Sequence, residues 1–418
     1  MNVLRNRNFA LYSAGNIVSW IGLWMQRLGI GWLSWDLTHS AVWVGIVSMA
    51  QFLPIIVFGP LFGVLADRLE RKRYAIAVQV AQMGIAGLLW AACAFDAMST
   101  PVLVILCSAI GISSAAHQPI RLALVNDLVP RELLQQAITI NSVLFNTSRF
   151  VGPALGGIAI ASVGVASTFA INAVSYLAIL WSLTLVELPA RSARPASRGF
   201  AGDLGAGLSY VLRHRPILQL MVVAGLTAFF ARGAIELMPA FADAVFNRGS
   251  AGLATLTTAA GAGAVAAGLL LSRTGSAGRE AWLAAHGSVA AGAVLALLGF
   301  THEFAAGVAV VGLLAFATTL CTIGMQVELQ STVDNDYRGR VVSLWGVVTI
   351  AMPSVGSTLI GALAHWPVLG TLGGLSNVTV GCGVVCAALA WLSTGQLRAT
   401  RLTSRARGAA SDCQNNRP

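Results

Sequence analysis

Four charged residues stand inside long apolar runs of this sequence: Arg27, Arg149, Arg232 and Glu236. Placing a charged side chain in an apolar solvent costs roughly 2.5–3.5 kcal/mol on insertion scales, so each is a candidate for function. Arg232 and Glu236 are one helical turn apart, which predicts a local ion pair. A carboxylate beside an arginine can take up a proton while the arginine changes partner. The structural alternatives are that Arg27 extends its charge to the nearer interface and that the pair serves packing alone.

Three further polar residues are candidates for proton transfer or ligand contact. His117 has a side chain that titrates near neutral pH, Glu328 lies near the end of an apolar run, and Gln26 precedes Arg27. A single buried amide is more often a helix–helix hydrogen bond than a ligand contact. Glu236 is therefore the first candidate for a proton-coupling group, with His117 and Glu328 behind it.

The segments that carry these residues are too apolar for a soluble protein. Of 418 residues, 56% are hydrophobic and 10% are charged, and the mean hydropathy is +0.75. Soluble domains carry roughly 25% charged residues, and a helix needs about 20 apolar residues to cross a bilayer. We therefore predict an all-α integral membrane protein with twelve transmembrane helices. The predicted spans are 10–34, 42–64, 75–95, 102–123, 138–161, 167–186, 217–240, 251–271, 282–300, 304–326, 341–364 and 372–394.

Basic residues mark one side of the predicted membrane. The formal net charge is +10, and most of the 26 Lys and Arg residues lie in short clusters between apolar runs. The positive-inside rule assigns these clusters, Arg121 included, to the cytoplasm and places both termini there. A nucleic-acid partner is not expected, because that needs a solvated basic face. The six cysteines are scattered, which favours small buried residues over a metal site.

The chain divides into two halves of six predicted helices. Residues 1–186 form the first half, 187–216 a cytoplasmic linker with an amphipathic helix, 217–396 the second half and 397–418 a cytoplasmic tail. A shift of about 204 residues aligns the fifth predicted span with the eleventh and places glycine on glycine twice. Repeated halves related by pseudo-symmetry are typical of secondary transporters.

The loop after the second predicted span reads GVLADRLERKR. It resembles the signature of the major facilitator superfamily, G-x-L-A-D-r-x-G-r-k, with Glu70 where that pattern has glycine. Asp67 can pair with cations or with the N-terminal dipole of a helix in the other half. Such a contact would break when the halves move apart, so the resemblance implies a conformational latch. Its residues are Gly63, Asp67, Arg68, Arg71 and Lys72.

The fifth predicted span contains RFVGPALGG. This stretch resembles the G-x-x-x-G-P-x-x-G-G motif of antiporters in the same superfamily, with Ser148 in place of the leading glycine. Small residues allow helices to approach closely, and ordinary helix packing is the alternative explanation. The motif residues are Arg149, Gly152, Pro153, Gly156 and Gly157.

Two more stretches, WMQRLGIGWL and the pairing of NDLVPRELLQQA with VDNDYRGRV, resemble the enterobactin-exporter-like branch of drug–proton antiporters. The resemblance implies proton-coupled export of a small amphipathic molecule, a siderophore or a drug, by alternating access. It also implies a monomer in the bacterial inner membrane. Uptake of a metabolite is the alternative within transport, and a membrane enzyme or receptor is the alternative outside it. No G-x-x-x-x-G-K-[ST] phosphate loop occurs, so neither ATP nor another cofactor is expected.

Overall fold

The computed structural model describes residues 3–187, 200–274, 277–334, 337–366 and 374–393. The side chain of Asp67, the linker stretch 188–199 and the tail 397–418 lie outside the described residues. The described chain is built of helices. In the first half these are α1 (Arg7–Thr38), α2 (Ala41–Arg68), α3 (Arg71–Ala94), α4 (Thr100–Leu128), α5 (Leu134–Val163) and α6 (Ala166–Leu185).

The linker helix α7 (Phe200–Arg213) precedes the second half. The remaining elements are α8 (Arg215–Thr227), α9 (Gly233–Glu236), α10 (Met238–Ala240), α11 (Gly249–Thr274), α12 (Ala277–Gly299), α13 (Phe304–Thr332), α14 (Arg338–Ala364) and α15 (Gly374–Ser393).

Ten helices among the described residues are long and apolar enough to cross a membrane. Helices α1 and α12 occupy the places of the first and ninth predicted spans, with 32 and 23 residues. At about 1.5 Å per residue both could cross a hydrocarbon core of about 30 Å. In α1 the apolar character is diluted by Asn16, Gln26 and Arg27. The all-α membrane fold is confirmed, and the exact count of twelve spans stays a prediction.

The seventh predicted span, 217–240, is irregular and longer than expected. After α8, a π-helical turn spans Ala228–Arg232, α9 follows, Leu237 interrupts the helix, and a second π turn spans Phe241–Val245 after α10. Turns of this kind change the register of side chains and occur often at functional sites. They carry Arg232 at the end of the first π turn and place Glu236 just before the interruption.

The linker helix α7 is anchored to the second half. The Tyr210 hydroxyl donates a hydrogen bond to Asp334 Oδ2 at 2.9 Å, and its ring stacks on Tyr337 with centroids 4.3 Å apart. A Cβ placed on Gly207 would lie 3.0 Å from the Cβ of Arg340. The helix α7 lies within the predicted linker, and the division into two halves and a linker stays a prediction.

The two halves pack against each other near the turn between α1 and α2. A Cβ placed on Gly45 of α2 would lie 2.5 Å from the Thr358 Cα in α14, and one on Gly361 would lie 2.6 Å from the Ala41 carbonyl carbon. Gly157 of α5 packs directly on the Ala254 side chain of α11. Small residues at these positions let the helix backbones come together across the interface.

At the opposite end, which carries the basic loops, the halves part. Gly59 and Gly63 in α2 have open space where a Cβ would lie, and so do Gly339 and Gly346 in α14. These four glycines lie on the same two helices that are in backbone contact near Gly45. The molecule is thus closed at one end of the helix bundle and open at the other.

Candidate functional site

A cavity of about 90 Å³ lies between the halves, close to the closed end. The first half contributes residues of α1 and α5, and the second half contributes the irregular seventh span and α11. The lining residues are Trp24, Arg27, Leu28, Gly31, Arg149, Arg232, Ile235, Glu236, Met238, Pro239, Leu253, Thr257 and Ala260. The four charged residues that stand inside apolar runs of the sequence therefore converge on one site.

An ion pair crosses this cavity from one half to the other. Arg27 Nη2 donates to Glu236 Oε1 at 2.9 Å, and the Ser48 hydroxyl lies 3.5 Å from Glu236 Oε2. The prediction of a local Arg232–Glu236 ion pair is wrong for this conformation. That prediction assumed continuous α-helical spacing, whereas a π turn ends at Arg232 and the helix breaks after Glu236. Arg232 instead lines the cavity beside the pair.

Aromatic rings hold two of the arginines in place. The Arg27 guanidinium carbon lies 5.1 Å from the Trp24 ring centroid and 4.8 Å from that of Phe52. The Arg149 guanidinium carbon lies 5.6 Å from the Trp24 centroid. Such cation–π contacts contribute about 0.5–2 kcal/mol each and fix the direction of the charge. One indole thus positions charges from both α1 and α5.

A second cavity of about 190 Å³ lies within the first half and shares Trp24 and Arg27 with the first. Its lining is rich in amides and aromatic rings. It includes Gln26, Gln51, Gln79, Gln82, Gln118, His117, Arg121, Trp20, Phe52, Phe145 and Tyr176. The two cavities therefore adjoin at Trp24 and Arg27, and we call the pair of cavities the polar tract.

Hydrogen bonds order part of this second cavity. His117 Nε2 lies 3.3 Å from Gln79 Nε2, and Asn172 donates to Gln26 Oε1 at 2.7 Å. His117 and Gln26 both line this cavity, and Gln26 also serves the helix contact that was its alternative explanation. Arg121, which we predicted in a cytoplasmic loop, lies within α4 and lines this cavity.

The glycines of the antiporter-like motif serve two interfaces. Gly152 packs on Trp24 and lies against the Ile21 carbonyl, where a Cβ would be 2.9 Å away, and Gly156 packs on Met25. Gly157 faces Ala254 in the other half. Pro153 is buried within α5, which continues through it. The motif therefore seats α1, with its charged residues, against α5 and brings α5 against α11.

The latch residues lie at the open end and are held within the first half. Arg71 Nη1 forms an ion pair with Asp127 at the end of α4. Lys72 Nζ donates to the carbonyl oxygens of Thr184 at 3.0 Å and Val186 at 2.8 Å. Arg68 is exposed. The basic members of the motif thus tie α3 to α4 and α6 in this conformation.

Some residues of the site escaped the sequence analysis, and one candidate lies elsewhere. Gln79, Gln82, Phe145 and Tyr176 line the second cavity, and a polar residue within an apolar span was the available signal for the two glutamines. Glu328 lies near the end of α13 and is absent from the lining of both cavities.

Two helical halves around a shared, charged cavity define a multi-pass membrane transporter. The chain belongs to the transmembrane secretion effector family of the major facilitator superfamily, whose family model matches residues 1–407. This places the chain among transporters and confirms the resemblance drawn from its motifs.

Three relatives illustrate the range of the family. The chain is 26% identical to the staphyloferrin A transporter of Staphylococcus aureus over 56% of this chain and 59% of that protein. It is 26% identical to macrolide efflux protein A of Streptococcus pyogenes over 86% of this chain and 91% of that protein. It is 27% identical to the enterobactin exporter of Salmonella paratyphi A over 88% of this chain and 87% of that protein.

Solved structures share the fold. A bacterial homologue of the human lysosomal transporter Spinster superposes with a TM-score of 0.70 at 15% identity, covering 93% of this chain and 97% of that one. A bacterial homologue of the iron transporter ferroportin superposes with a TM-score of 0.69 at 13% identity, covering 93% and 98%. At these identities the likeness concerns the fold alone.

Proposed function

We propose that the protein exports a small amphipathic organic molecule, a siderophore or a drug, from the cytoplasm in exchange for protons. It would do so by alternating access, as a monomer in the bacterial inner membrane with both termini in the cytoplasm. The names of relatives that export siderophores or macrolides support the substrate class and direction. The observation that carries the coupling is the Arg27–Glu236 ion pair, which joins the halves across the cavity.

The coupling step follows from what protonation does to that ion pair. When Glu236 loses its proton toward the cytoplasm, it binds Arg27 and holds the halves together at the closed end. Substrate entering from the open end competes for the arginines, loosens the pair and permits the bundle to open outward. A proton taken up from the outside neutralises Glu236. The empty transporter can then return to the state open to the cytoplasm without burying an unpaired carboxylate. Each cycle then moves substrate out and protons in.

The latch residues at the open end would act when the transporter is open to the outside. Arg71 and Lys72 are engaged within the first half while the halves are apart at that end. When the halves meet there, Gly63, Asp67 and Arg68 would approach the N-terminus of α14 across the interface. A carboxylate near a helix N-terminus is favoured by about 0.3–1 kcal/mol. This contribution would shift the equilibrium toward the outward-open state.

Uptake of a small metabolite is the second candidate. The charged cavity and the two-half architecture would serve either direction. Export and uptake are distinguished by the side of the membrane from which substrate is transported when a proton gradient is imposed.

The test uses inverted membrane vesicles containing the full chain, energised so that their interior is acidic. Candidate siderophores and drugs are added outside, and proton leakage from the lumen is followed with a pH-sensitive dye. Wild type is compared with Glu236→Gln and with the matched control Glu328→Gln, an equivalent change outside both cavities. We expect substrate to dissipate the gradient in wild type and Glu328→Gln, and to leave it intact in Glu236→Gln.

Two outcomes would reject this coupling scheme. Transport without proton movement in wild type would show that the protein is not a proton antiporter. Substrate-driven proton release that persists in Glu236→Gln but disappears in Glu328→Gln would move the coupling group to α13. Accumulation of substrate only when the gradient is reversed would favour uptake.

A further inference from the structure

The polar tract around Trp24 carries a strong excess of positive charge. Four arginines line its two cavities, and Glu236 is the one carboxylate among the described lining residues. The arginines come from different helices. They are Arg27 on α1, Arg121 on α4, Arg149 on α5 and Arg232 on the π turn after α8. Because the four arginines come from different helices, the excess of positive charge arises only when the helices pack together in the folded protein.

Two of these arginines, Arg149 and Arg232, form no salt bridge within the described part of the chain. Glu236 is taken by Arg27, and the other ion pairs found among the described residues lie at the open end, at Arg71 and Arg73. Arg149 touches the Trp24 ring, and Arg232 lines the cavity beside it. An arginine presents five N–H donors and no acceptor. Both guanidinium groups therefore face the cavity with unused donors.

Other buried donors in the same tract also lack acceptors. Trp24 Nε1 and Arg121 Nε are buried without a hydrogen-bond partner in the described structure, whereas Gln79 Oε1 is the one unsatisfied acceptor lining the tract. Leaving a buried donor unpaired destabilises the structure. A site with surplus donors gains most from a ligand that supplies acceptors, and an anion supplies them together with the opposite charge.

We propose that the transported molecule is an organic anion whose carboxylate or similar oxygen-rich group binds between Arg149 and Arg232. Its uncharged part, aromatic or amide-bearing, occupies the glutamine- and aromatic-lined cavity of the first half, where Phe145 and Trp20 offer ring surfaces. The anion competes with Glu236 for Arg27, which joins substrate binding to release of the closed end. This inference rests on the proposed function as a transporter and names the chemical class of its substrate.

The experiment compares three probes that share a ring and differ in charge: benzoate, benzamide and benzylamine. Binding to the full chain in nanodiscs of zwitterionic lipid is measured by saturation-transfer difference NMR, with empty nanodiscs as the blank. Because a hydrogen bond to a charged group contributes about 1.5–3 kcal/mol, we expect benzoate to bind about tenfold or more tighter than benzamide. Benzylamine should not compete with benzoate.

Variants locate the effect. Arg149→Gln and Arg232→Gln should each reduce the benzoate preference about tenfold, whereas Arg149→Lys should retain most of it because the charge remains. Arg248→Gln is the matched control, since Arg248 stacks on Phe304 with its guanidinium carbon 5.4 Å from the ring centroid and lines neither cavity. Thermal unfolding of each variant in the same nanodiscs checks that the fold is retained.

The proposal is overturned if benzoate fails to bind, binds no better than benzamide, or keeps its preference in both glutamine variants. Tighter binding of benzylamine would also overturn it. The binding measurement needs no gradient, so it is independent of the vesicle assay. Anion preference without proton movement would reject the coupling scheme alone, and export of cations with proton movement would reject this inference alone.

Discussion

The Arg27–Glu236 ion pair is the residue-level contact that best explains why charges are retained in these apolar helices. Its side chains are 29% and 16% exposed, so both charges are partly withdrawn from water. Removing one partner of such a pair leaves the other charge unpaired, which costs more than replacing both. The pair joins α1 to the irregular seventh span and thus contributes to the closed end of the bundle.

A double-mutant cycle tests this energetic role. Arg27→Gln should lower the free energy of unfolding by about 1–3 kcal/mol, because Glu236 then keeps an unpaired charge. Adding Glu236→Gln to that variant should restore part of the loss. The measurement is denaturant unfolding of the four proteins in the same detergent. Additive losses, with no recovery in the double variant, would mean that the two side chains are not coupled.

The sequence located the charges but not their partners. A charge inside an apolar run is conspicuous, so Arg27, Arg149, Arg232 and Glu236 could be singled out without a structure. Which charges form an ion pair depends on which helices are in contact. Arg27 and Glu236 are far apart in the chain, so the sequence alone could not show that they meet. Arg121 escaped because it lies near the end of its span, where an arginine also fits a cytoplasmic loop.

At the level of helices, small residues set how closely the halves approach. Gly45 and Gly361 bring α2 and α14 into backbone contact, and Gly157 of α5 packs on the Ala254 side chain of α11. The ten spans among the described residues that are long and apolar enough to cross a membrane were predictable from hydropathy, and so was the separation of α12 from α13 at Gly299–Phe304. The π turns of the seventh span were not, because apolar content does not distinguish π from α hydrogen bonding.

Substitution at Gly45 should disturb the closed end. In Gly45→Ala the new Cβ would lie 2.5 Å from the Thr358 Cα and 2.6 Å from its backbone nitrogen, neither of which can move aside alone. Overpacking of this kind costs about 1–3 kcal/mol, so we expect the bundle to spread at this end. Spin labels replacing Trp43 and Leu359, both exposed, would report a longer distance in electron-resonance measurements.

The control for this change lies on the same helix. Gly59 has open space at the position of a Cβ, so Gly59→Ala should leave the label distance unchanged and should not lower the thermal stability, because alanine favours a helix over glycine. An equal effect of the two substitutions would indicate that helix propensity, and not the contact between halves, is responsible. An unchanged distance in Gly45→Ala would argue against tight packing of α2 on α14.

At the level of the whole molecule, the two halves form a structure that is closed at one end and open at the other. The repeat within the sequence could predict two similar halves, but it carries no information on how they are tilted relative to each other. That tilt decides from which side of the membrane the central cavity is accessible. The open end carries the basic loops, so the positive-inside rule predicts that it faces the cytoplasm, the side from which an exporter takes up its substrate.

Sided labelling of a cavity residue tests this assignment. In a background with the six native cysteines replaced, Thr257→Cys places a thiol on the cavity lining and Leu37→Cys places an exposed thiol at the closed end. A membrane-impermeant maleimide should label Thr257→Cys faster in inverted vesicles and Leu37→Cys faster in right-side-out vesicles. Substrate added with the reagent should slow labelling of Thr257→Cys, because both occupy the same cavity. If Thr257→Cys reacts only in right-side-out vesicles, the resting protein is open outward and the coupling cycle must begin from the other side.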